Sequence, residues 1–223
     1  MFDGIAPSYD RLNHLLSLDA DRLWRKHALK EIADGTEQRI LDVACGTGDS
    51  TVAIAKAVSA ESRVIGTDIS EGMMGFVMGK AAAAGVADKV SVEQGDAEAL
   101  RYGDASFDRV ACAFGVRNFE HKEQGLSEFF RVLKPGGRAV ILELSVPENR
   151  VIRWFYGLYF KHILPWIGGR LSGSREAYRY LPASVYAFPP PASFCRMMEE
   201  AGFRNVRRKA FTFGLCRMFV GEK

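Results

Sequence analysis

The sequence predicts an α/β fold: an open, mostly parallel sheet with helices on both faces. Two observations carry that expectation. Between residues 39 and 144 short β-type runs alternate with helix-length segments, and the chain closes on one helix followed by two more strand-like runs. Parallel strands joined through helices make right-handed βαβ units whose sheet is covered on both sides. Two strands in direct succession make a hairpin, so one edge of the sheet is mixed.

Residues 1–35 read as helices ahead of the first strand, with Trp24, Ala28 and Ile32 at helical spacing and Gly35 as the stop. RILDVA (39–44) is the first strand and TVAIAKAVSA (51–60) the first crossover helix. RVIGTD (63–68) is the second strand, followed by a single helix over SEGMMGFVMGKAAAAG (70–85) that ends on Gly85. VSVEQ (90–94) and DRVACAF (108–114) are the third and fourth strands. Leu126, Phe129, Phe130 and Leu133 then fall at i, i+3, i+4 and i+7, an amphipathic helix that Lys134-Pro135-Gly136-Gly137 stops. RAVILEL (138–144) is the fifth strand. Residues 146–190, rich in aromatics, Gly and Pro, fall outside the alternation, and 191–223 return as helix, strand, strand. The expected organisation is one domain, 1–223: an N-terminal helical lid (1–35), a cofactor-binding core (36–145), an aromatic-rich lid (146–190), and a closing helix and β-hairpin (191–223).

At 223 residues, 48% hydrophobic and 26% charged, the composition is that of a soluble globular protein. Such a chain buries most of its surface without a disulfide or metal as staple. Its four cysteines, Cys45, Cys112, Cys195 and Cys216, are widely spaced and have no zinc-type pairing, so free thiols and no metal site are expected. The net charge of +3 does not suggest nucleic-acid binding, and the basic run within 204–209 reads as a solvated edge. MFDGIAPSYD lacks the basic and apolar regions of a signal peptide, and no stretch approaches the ~18–20 apolar residues of a membrane span. The expected location is the cytoplasm.

In an open α/β sheet the ligand sits beyond the carboxyl ends of the strands. The first such loop runs Asp42-Val-Ala-Cys-Gly46-Thr47-Gly48-Asp49, with a helix opening directly behind it. Gly46 and Gly48 allow close backbone approach, and the helix presents its N-terminal N–H groups. A lone GxG is weak. Here it follows a strand, precedes a helix, and has an acid, Asp68, 20 residues after Gly48 at the end of the second strand. Asp68 is placed to take both hydroxyls of a ribose, a role that suits NAD and S-adenosylmethionine alike. The third glycine of GxGxxG is replaced by Thr51, and the nearby acids Asp42 and Asp49 repel phosphates while favouring a cationic sulfonium and ammonium. That selects S-adenosylmethionine. Asp96, after the third strand, bounds the adenine end, or is simply a turn residue.

Several runs resemble one family: the quinone-biosynthesis C-methyltransferases, of the demethylmenaquinone and ubiquinone methyltransferase type. They are FDGIAPSYDRLN (2–13), LDVACGTGD (41–49), GTDISEGMM (66–74), GDAEAL (95–100), FGVRNF (114–119), RVLKPGG (131–137) and EAYRYLPASVYAFP (176–189), in order over nearly the whole chain. The glycine loop, GDAEAL and LKPGG are common to many class I methyltransferases; FDGIAPSYDRLN, FGVRN and YRYLPASV are particular to the quinone branch. The resemblance implies the class I S-adenosylmethionine-dependent methyltransferase fold, a Rossmann-like, seven-stranded, mostly parallel sheet with an antiparallel last strand. It implies cofactor contacts at Thr47, Asp68, Asp96 and Ala97, and with the loop reading the cofactor-binding set is Asp42, Gly46, Thr47, Gly48, Asp68, Ile69, Asp96 and Ala97. One departure is Ala113, where some members carry a hydroxyl residue.

The activity implied is methyl transfer from S-adenosylmethionine to a ring carbon of demethylmenaquinol or its benzoquinol counterpart. A ring carbon becomes nucleophilic once a ring hydroxyl loses its proton, so the site must align the reactants, exclude water and stabilise a phenolate. Arg117 is expected beside the ring oxygen, where its charge lowers the phenol pKa, and Asn118 at the other oxygen. Tyr9 is the candidate proton relay, with Asp10 and His121 behind it. VIRWFYGLYFKHILPWI (151–167), 12 of 17 residues apolar and interrupted by Pro165, reads as a lid over the quinol or a surface resting on the inner membrane, with a core helix as the alternative. In the membrane reading Lys161, Arg170, Arg175 and Arg179 meet anionic head groups. The partners expected are thus a prenylated quinol and a peripheral membrane contact, with no nucleic acid and with a homodimer left open. Two other functions stay open: methylation of another lipophilic small molecule, and a non-catalytic membrane-associated scaffold that keeps the fold.

Overall fold

The structure, a computed structural model, describes His14, residues 17–159 and residues 175–223, with 175–179 in backbone only. Seven strands form one sheet: β1 (Arg39–Val43), β2 (Arg63–Asp68), β3 (Val90–Gln94), β4 (Phe107–Ala113), β5 (Leu133–Leu144), β6 (Arg204–Phe211) and β7 (Cys216–Glu222). Their order is β3-β2-β1-β4-β5-β7-β6. Strands β3 to β5 pair in parallel with β1 at the centre; β7 runs antiparallel to both β5 and β6. The expected mixed sheet is present, and its hairpin is folded so that the last strand lies inside. That leaves β6 as the edge, where exposed Arg204, Arg207, Arg208 and Lys209 discourage edge-to-edge pairing.

The helices are α1 (Ala20–Ile32), α2 (Asp49–Ala57), α3 (Glu71–Met74), α4 (Val77–Ala83), α5 (Lys122–Val132), α6 (Arg150–Leu158), α7 (Arg175–Ala187) and α8 (Pro191–Glu200). Side chains alternate across β1 with the strand period of two, so Ile40 meets α1, α2 and α4 on one face while Leu41 and Val43 meet α5 and α8 on the other. Trp24, Ala28 and Ile32 are buried on α1 at the spacing expected of them.

Two elements differ from expectation. The segment 70–85 is not one helix: it breaks at Gly75 and Phe76 into α3 and α4. Gly72, Gly75 and Gly79 weaken helix propensity there, and Ser70 caps the short first piece by accepting the Met73 N–H at 3.2 Å. Leu133 does not extend α5. The helix ends at Val132, and Leu133 opens β5 opposite Phe107, with a register shift between Phe107 and Arg109 that accommodates the Pro-Gly-Gly stretch. Of the two lids, only α1 with its approach and the helices α6 and α7 lie within the described residues.

Candidate functional site

A cavity of about 310 Å³ opens where β1 and β4 lie side by side. From that seam the chain winds one way through β2 and β3 and the other way through β5, the switch point at which open α/β sheets bind ligands. Ala44 and Phe114, the residues that follow β1 and β4, both hold positive φ angles, 53° and 63°, and both line the cavity. Between them Gly115 is obligatory: a Cβ there would lie 2.5 Å from the Ala44 Cβ. The two loops therefore touch at the mouth of the seam.

One wall is the first loop and the ends of β2 and β3. Gly46, Thr47, Asp68, Ile69, Asp96 and Ala97, all expected at the cofactor, line it together. Asp68 accepts the Gly46 N–H at 2.8 Å through Oδ2 and the Ser70 N–H at 2.9 Å through Oδ1, which locks the carboxylate at the strand end with lone pairs left for a ribose. Asp96 accepts the Glu98 N–H at 2.8 Å through Oδ1, as a turn residue does, and it also lines the cavity. Cys45 lines the same wall, but burial and then the charges of Asp42 and Asp68 push its thiol far above the ordinary range, so it is no nucleophile.

Two members of the expected set stand elsewhere. Gly48 is absent from the cavity wall. Its φ is 88°, and a Cβ would meet the Val77 Cγ1 at 2.8 Å, so the glycine serves helix packing against α4 rather than approach to a ligand. Asp42 lies inside β1, in register with Gly66 and Ala111, and strand alternation turns it under α1 and α2. It is 1% exposed, accepts the Thr51 hydroxyl at 2.6 Å through Oδ2, and leaves Oδ1 without a partner. Burial pushes its carboxyl up to about 6. Asp49 is neutralised: Lys80 Nζ lies 2.6 Å from Oδ1 and His14 Nε2 3.3 Å from Oδ2. The acids expected to select a cation are thus engaged within the protein. The cavity prefers a cation all the same, because Asp68, Asp96, Glu98 and Glu120 line it along with Asp49, against the single guanidinium of Arg25.

The other wall is the turn between β4 and α5. Ala113, Phe114, Gly115, Asn118 and Phe119 line it, with a 3-10 turn over Val116–Asn118. Asn118 Oδ1 accepts the Tyr180 hydroxyl of α7 at 3.0 Å. Arg117 is not on the wall. Its Nη1 lies 2.9 Å from Oε1 of Glu143, a fully buried residue of β5, and also donates to the Phe114 carbonyl. The guanidinium expected beside a ring oxygen is instead paired inside the protein. His121, exposed, donates its backbone N–H to Glu98 and does not line the cavity. Tyr9 and Asp10 lie outside the described residues.

Sequence reasoning missed Arg25, Glu143 and Tyr180. Arg25, from α1, donates to the Ser50 hydroxyl and stands 5.0 Å over the Phe114 ring. Arg25 and Glu143 meet their partners across some 25 residues of chain, a distance no local pattern reports. Tyr180 sits in the YRYLPASV run, which carried the resemblance without a role attached.

The residues present suit a sulfonium cofactor: an acid-lined pocket with a locked carboxylate, Asp68, on its wall, of a size usual for small-molecule sites. The comparisons agree. The model of the ubiE/COQ5 methyltransferase family matches residues 1–223. A ubiquinone/menaquinone biosynthesis C-methyltransferase of Geobacter sulfurreducens is 45% identical over all of this chain and 87% of its own length. The demethylmenaquinone methyltransferase of Thermus thermophilus is 44% identical over the full length of both proteins. A crystal structure of an S-adenosylmethionine-dependent methyltransferase from Aquifex aeolicus shares the fold, with a TM-score of 0.62, 20% identity and 88% of each chain covered. The chain belongs to the ubiE/COQ5 methyltransferase family and is an S-adenosylmethionine-dependent methyltransferase.

Proposed function

We propose that the protein methylates a ring carbon of a reduced, prenylated quinol, demethylmenaquinol or its benzoquinol counterpart, in menaquinone or ubiquinone biosynthesis. The observation that carries this reading is the division of one cavity into an acidic wall and, facing it, the turn that bears Asn118. Bound S-adenosylmethionine supplies an electrophilic methyl on a sulfonium. Asp68 takes the ribose hydroxyls, Ile69, Asp96 and Ala97 bound the adenine, and the backbone at Gly46 and Thr47 borders the remainder. Gly48 and Asp42 support this wall from behind.

Asn118 acts on the acceptor. The Tyr180 hydroxyl donates to its Oδ1 and so fixes the amide, which leaves the Nδ2 donors for the acceptor. An amide N–H aimed at a ring oxygen stabilises the phenolate that makes the neighbouring carbon nucleophilic. Arg117 contributes through the turn it anchors rather than through its charge. Tyr9, or a water, takes the phenol proton. Phe114 and Phe119 give the ring an apolar bed and keep water out.

A prenyl tail resides in a membrane, and α6 offers a surface for it. Val151, Trp154, Phe155 and Leu158 fall at i, i+3, i+4 and i+7 and are all exposed, while Tyr156 alone on this helix is buried. For its described part, 151–159, this favours the lid or membrane-surface reading over the core-helix alternative; Lys161 and Arg170 lie outside the described residues. No described helix is long and apolar enough to cross a membrane.

The test is incubation with methyl-labelled S-adenosylmethionine and reduced demethylmenaquinol or a short-chain analogue. Label on the ring carbon is the expected result. Tight cofactor binding with no label on any quinol refutes the proposed acceptor.

A further inference from the structure

The exposed apolar side chains of the described residues are not scattered. Turns at the amino ends of the parallel strands, such as 33–38, 59–62 and 101–106, contribute none of the large ones. They gather on the opposite side, the carboxyl rim on which the cavity opens. Besides the α6 stripe, the most exposed phenylalanine of this rim is Phe213, at the tip of the β6–β7 hairpin and 78% exposed.

Phe213 costs the fold twice. Its φ is 57°, between Thr212 at 45° and Gly214 at 90°, a backbone conformation that β-carbons disfavour. Its ring stands in solvent. The turn is nonetheless held firmly: Trp24 Nε1 donates to Thr212 Oγ1 at 3.0 Å, and Ser145 Oγ donates to the Gly214 carbonyl at 2.7 Å. Ser145 belongs to the segment that leads into α6, so the tip and the α6 stripe are neighbours on one rim.

A second element reaches the same place. On α1, Leu23, Lys26, His27 and Lys30 share one face at i, i+3, i+4 and i+7. The His27 ring packs 5.0 Å from the Phe211 ring, at the foot of the hairpin, and Lys209 Nζ stands 5.6 Å from the Phe211 ring centre. Leu23, 55% exposed, therefore lies at the rim with Phe213, and the exposed Lys26 and Lys209 lie set back behind them.

We propose that Phe213 and Leu23, with Lys26 and Lys209 behind them, form a second membrane-contact site, which together with α6 seats the cavity mouth on an anionic bilayer. Apolar tips enter the interfacial region while lysines meet lipid phosphates at head-group depth. A helix stripe and a hairpin tip on one rim set the orientation of the whole molecule, which one amphipathic helix cannot. A second copy of the chain fits worse, since a two-fold interface would bring the same lysine-bearing patch to both of its sides. The proposal rests on the prenylated-quinol reading only for its purpose; the contact itself is tested without a quinol.

The test is co-sedimentation of the full chain with vesicles of phosphatidylcholine alone or mixed with phosphatidylglycerol. The expected result is binding to the anionic vesicles, reduced about tenfold in Phe213→Ser/Leu23→Ser and in Lys26→Glu/Lys209→Glu. All forms should methylate a soluble short-chain quinol equally, while the variants lose turnover of a long-chain quinol carried in vesicles. Absence of parent binding to anionic vesicles, or variants that bind as the parent does, would overturn the proposal. So would light scattering that shows a parent dimer dissociated by Phe213→Ser/Leu23→Ser. A parent that binds anionic vesicles but methylates no quinol keeps the contact and refutes the acceptor instead.

Discussion

Glu143 holds Arg117 at two points: Oε1 lies 2.9 Å from Nη1, and Oε2 accepts the Arg117 backbone N–H at 3.0 Å. The glutamate is the penultimate residue of β5 and is wholly buried, so the turn that carries Asn118 is bolted to an interior strand of the sheet. Removing one partner leaves the other charge buried and alone, which costs about 3–5 kcal/mol. Glu143→Gln should therefore lower stability by that order in denaturant unfolding. The paired replacement Arg117→Met/Glu143→Met should recover most of the loss, because neither charge remains. Its turnover should stay well below the parent while cofactor affinity is kept. Parental turnover in the double variant would remove the pair from the placement of Asn118.

Tyr180 and Asn118 supply a milder test. Tyr180→Phe deletes the hydroxyl that orients the amide, a hydrogen bond worth about 1 kcal/mol, so kcat should fall by roughly fivefold. Asn118→Ala should cost about a hundredfold, the usual scale for losing a donor to a developing oxyanion. Cofactor affinity, read by calorimetry, should hold in both. Equal turnover of Asn118→Ala and the parent would take the amide out of the chemistry.

Gly48 is set by packing as well as by its backbone. Gly48→Ala places a methyl 2.8 Å from Val77 Cγ1 at a φ of 88°. A loss of about 2–3 kcal/mol is expected from the clash and the left-handed backbone together. Adding Val77→Ala should relieve the clash and leave the backbone cost of about 1–2 kcal/mol, offset in part by the cavity it opens. Thermal unfolding of the single and double variants reads the difference. A Gly48→Ala variant as stable as the parent would contradict the contact.

Asp42 predicts a pH dependence. Its carboxyl is raised from 3.8 to about 6 by burial, so between those values the folded state holds a proton that the unfolded chain has released. Stability from this group is full below about pH 4 and falls as pH rises through 6, by about 3 kcal/mol in all. Asp42→Asn keeps an acceptor for Thr51 and cannot ionise. The difference in unfolding free energy between variant and parent should grow in the variant's favour from pH 4 to pH 7 and then level. A flat difference across that range would mean that Asp42 does not titrate in the fold.

Much of the fold was legible in order along the chain, because it rests on local periodicities: alternation in the strands, 3.6-residue spacing in α1 and α5, and glycines at the breaks. The misreadings have a common origin. The segment 70–85 has helical composition throughout, but where it splits depends on Val77 packing against Gly48 at the start of α2. Leu133 fits the α5 stripe by spacing, and only its partner Phe107 on β4 makes it a strand residue. Asp42 and Asp49 were assigned by nearness to a glycine loop, and side-chain direction together with Lys80 removed them from the task.

The sequence by itself determined the class of fold and, through FGVRN and YRYLPASV, the family, and it picked out Asp68 and Asp96, which line the cavity. These are short-range or contiguous features, in which residue type and spacing carry the chemistry. Only the tertiary structure decided that Arg117 belongs to Glu143, that Asn118 is the residue facing the cavity, and that Tyr180 orients it. Those assignments depend on ion pairs and hydrogen bonds between strands and helices dozens of residues apart. In a buried pair, the partner that satisfies a charge determines whether that charge is available to a ligand at all.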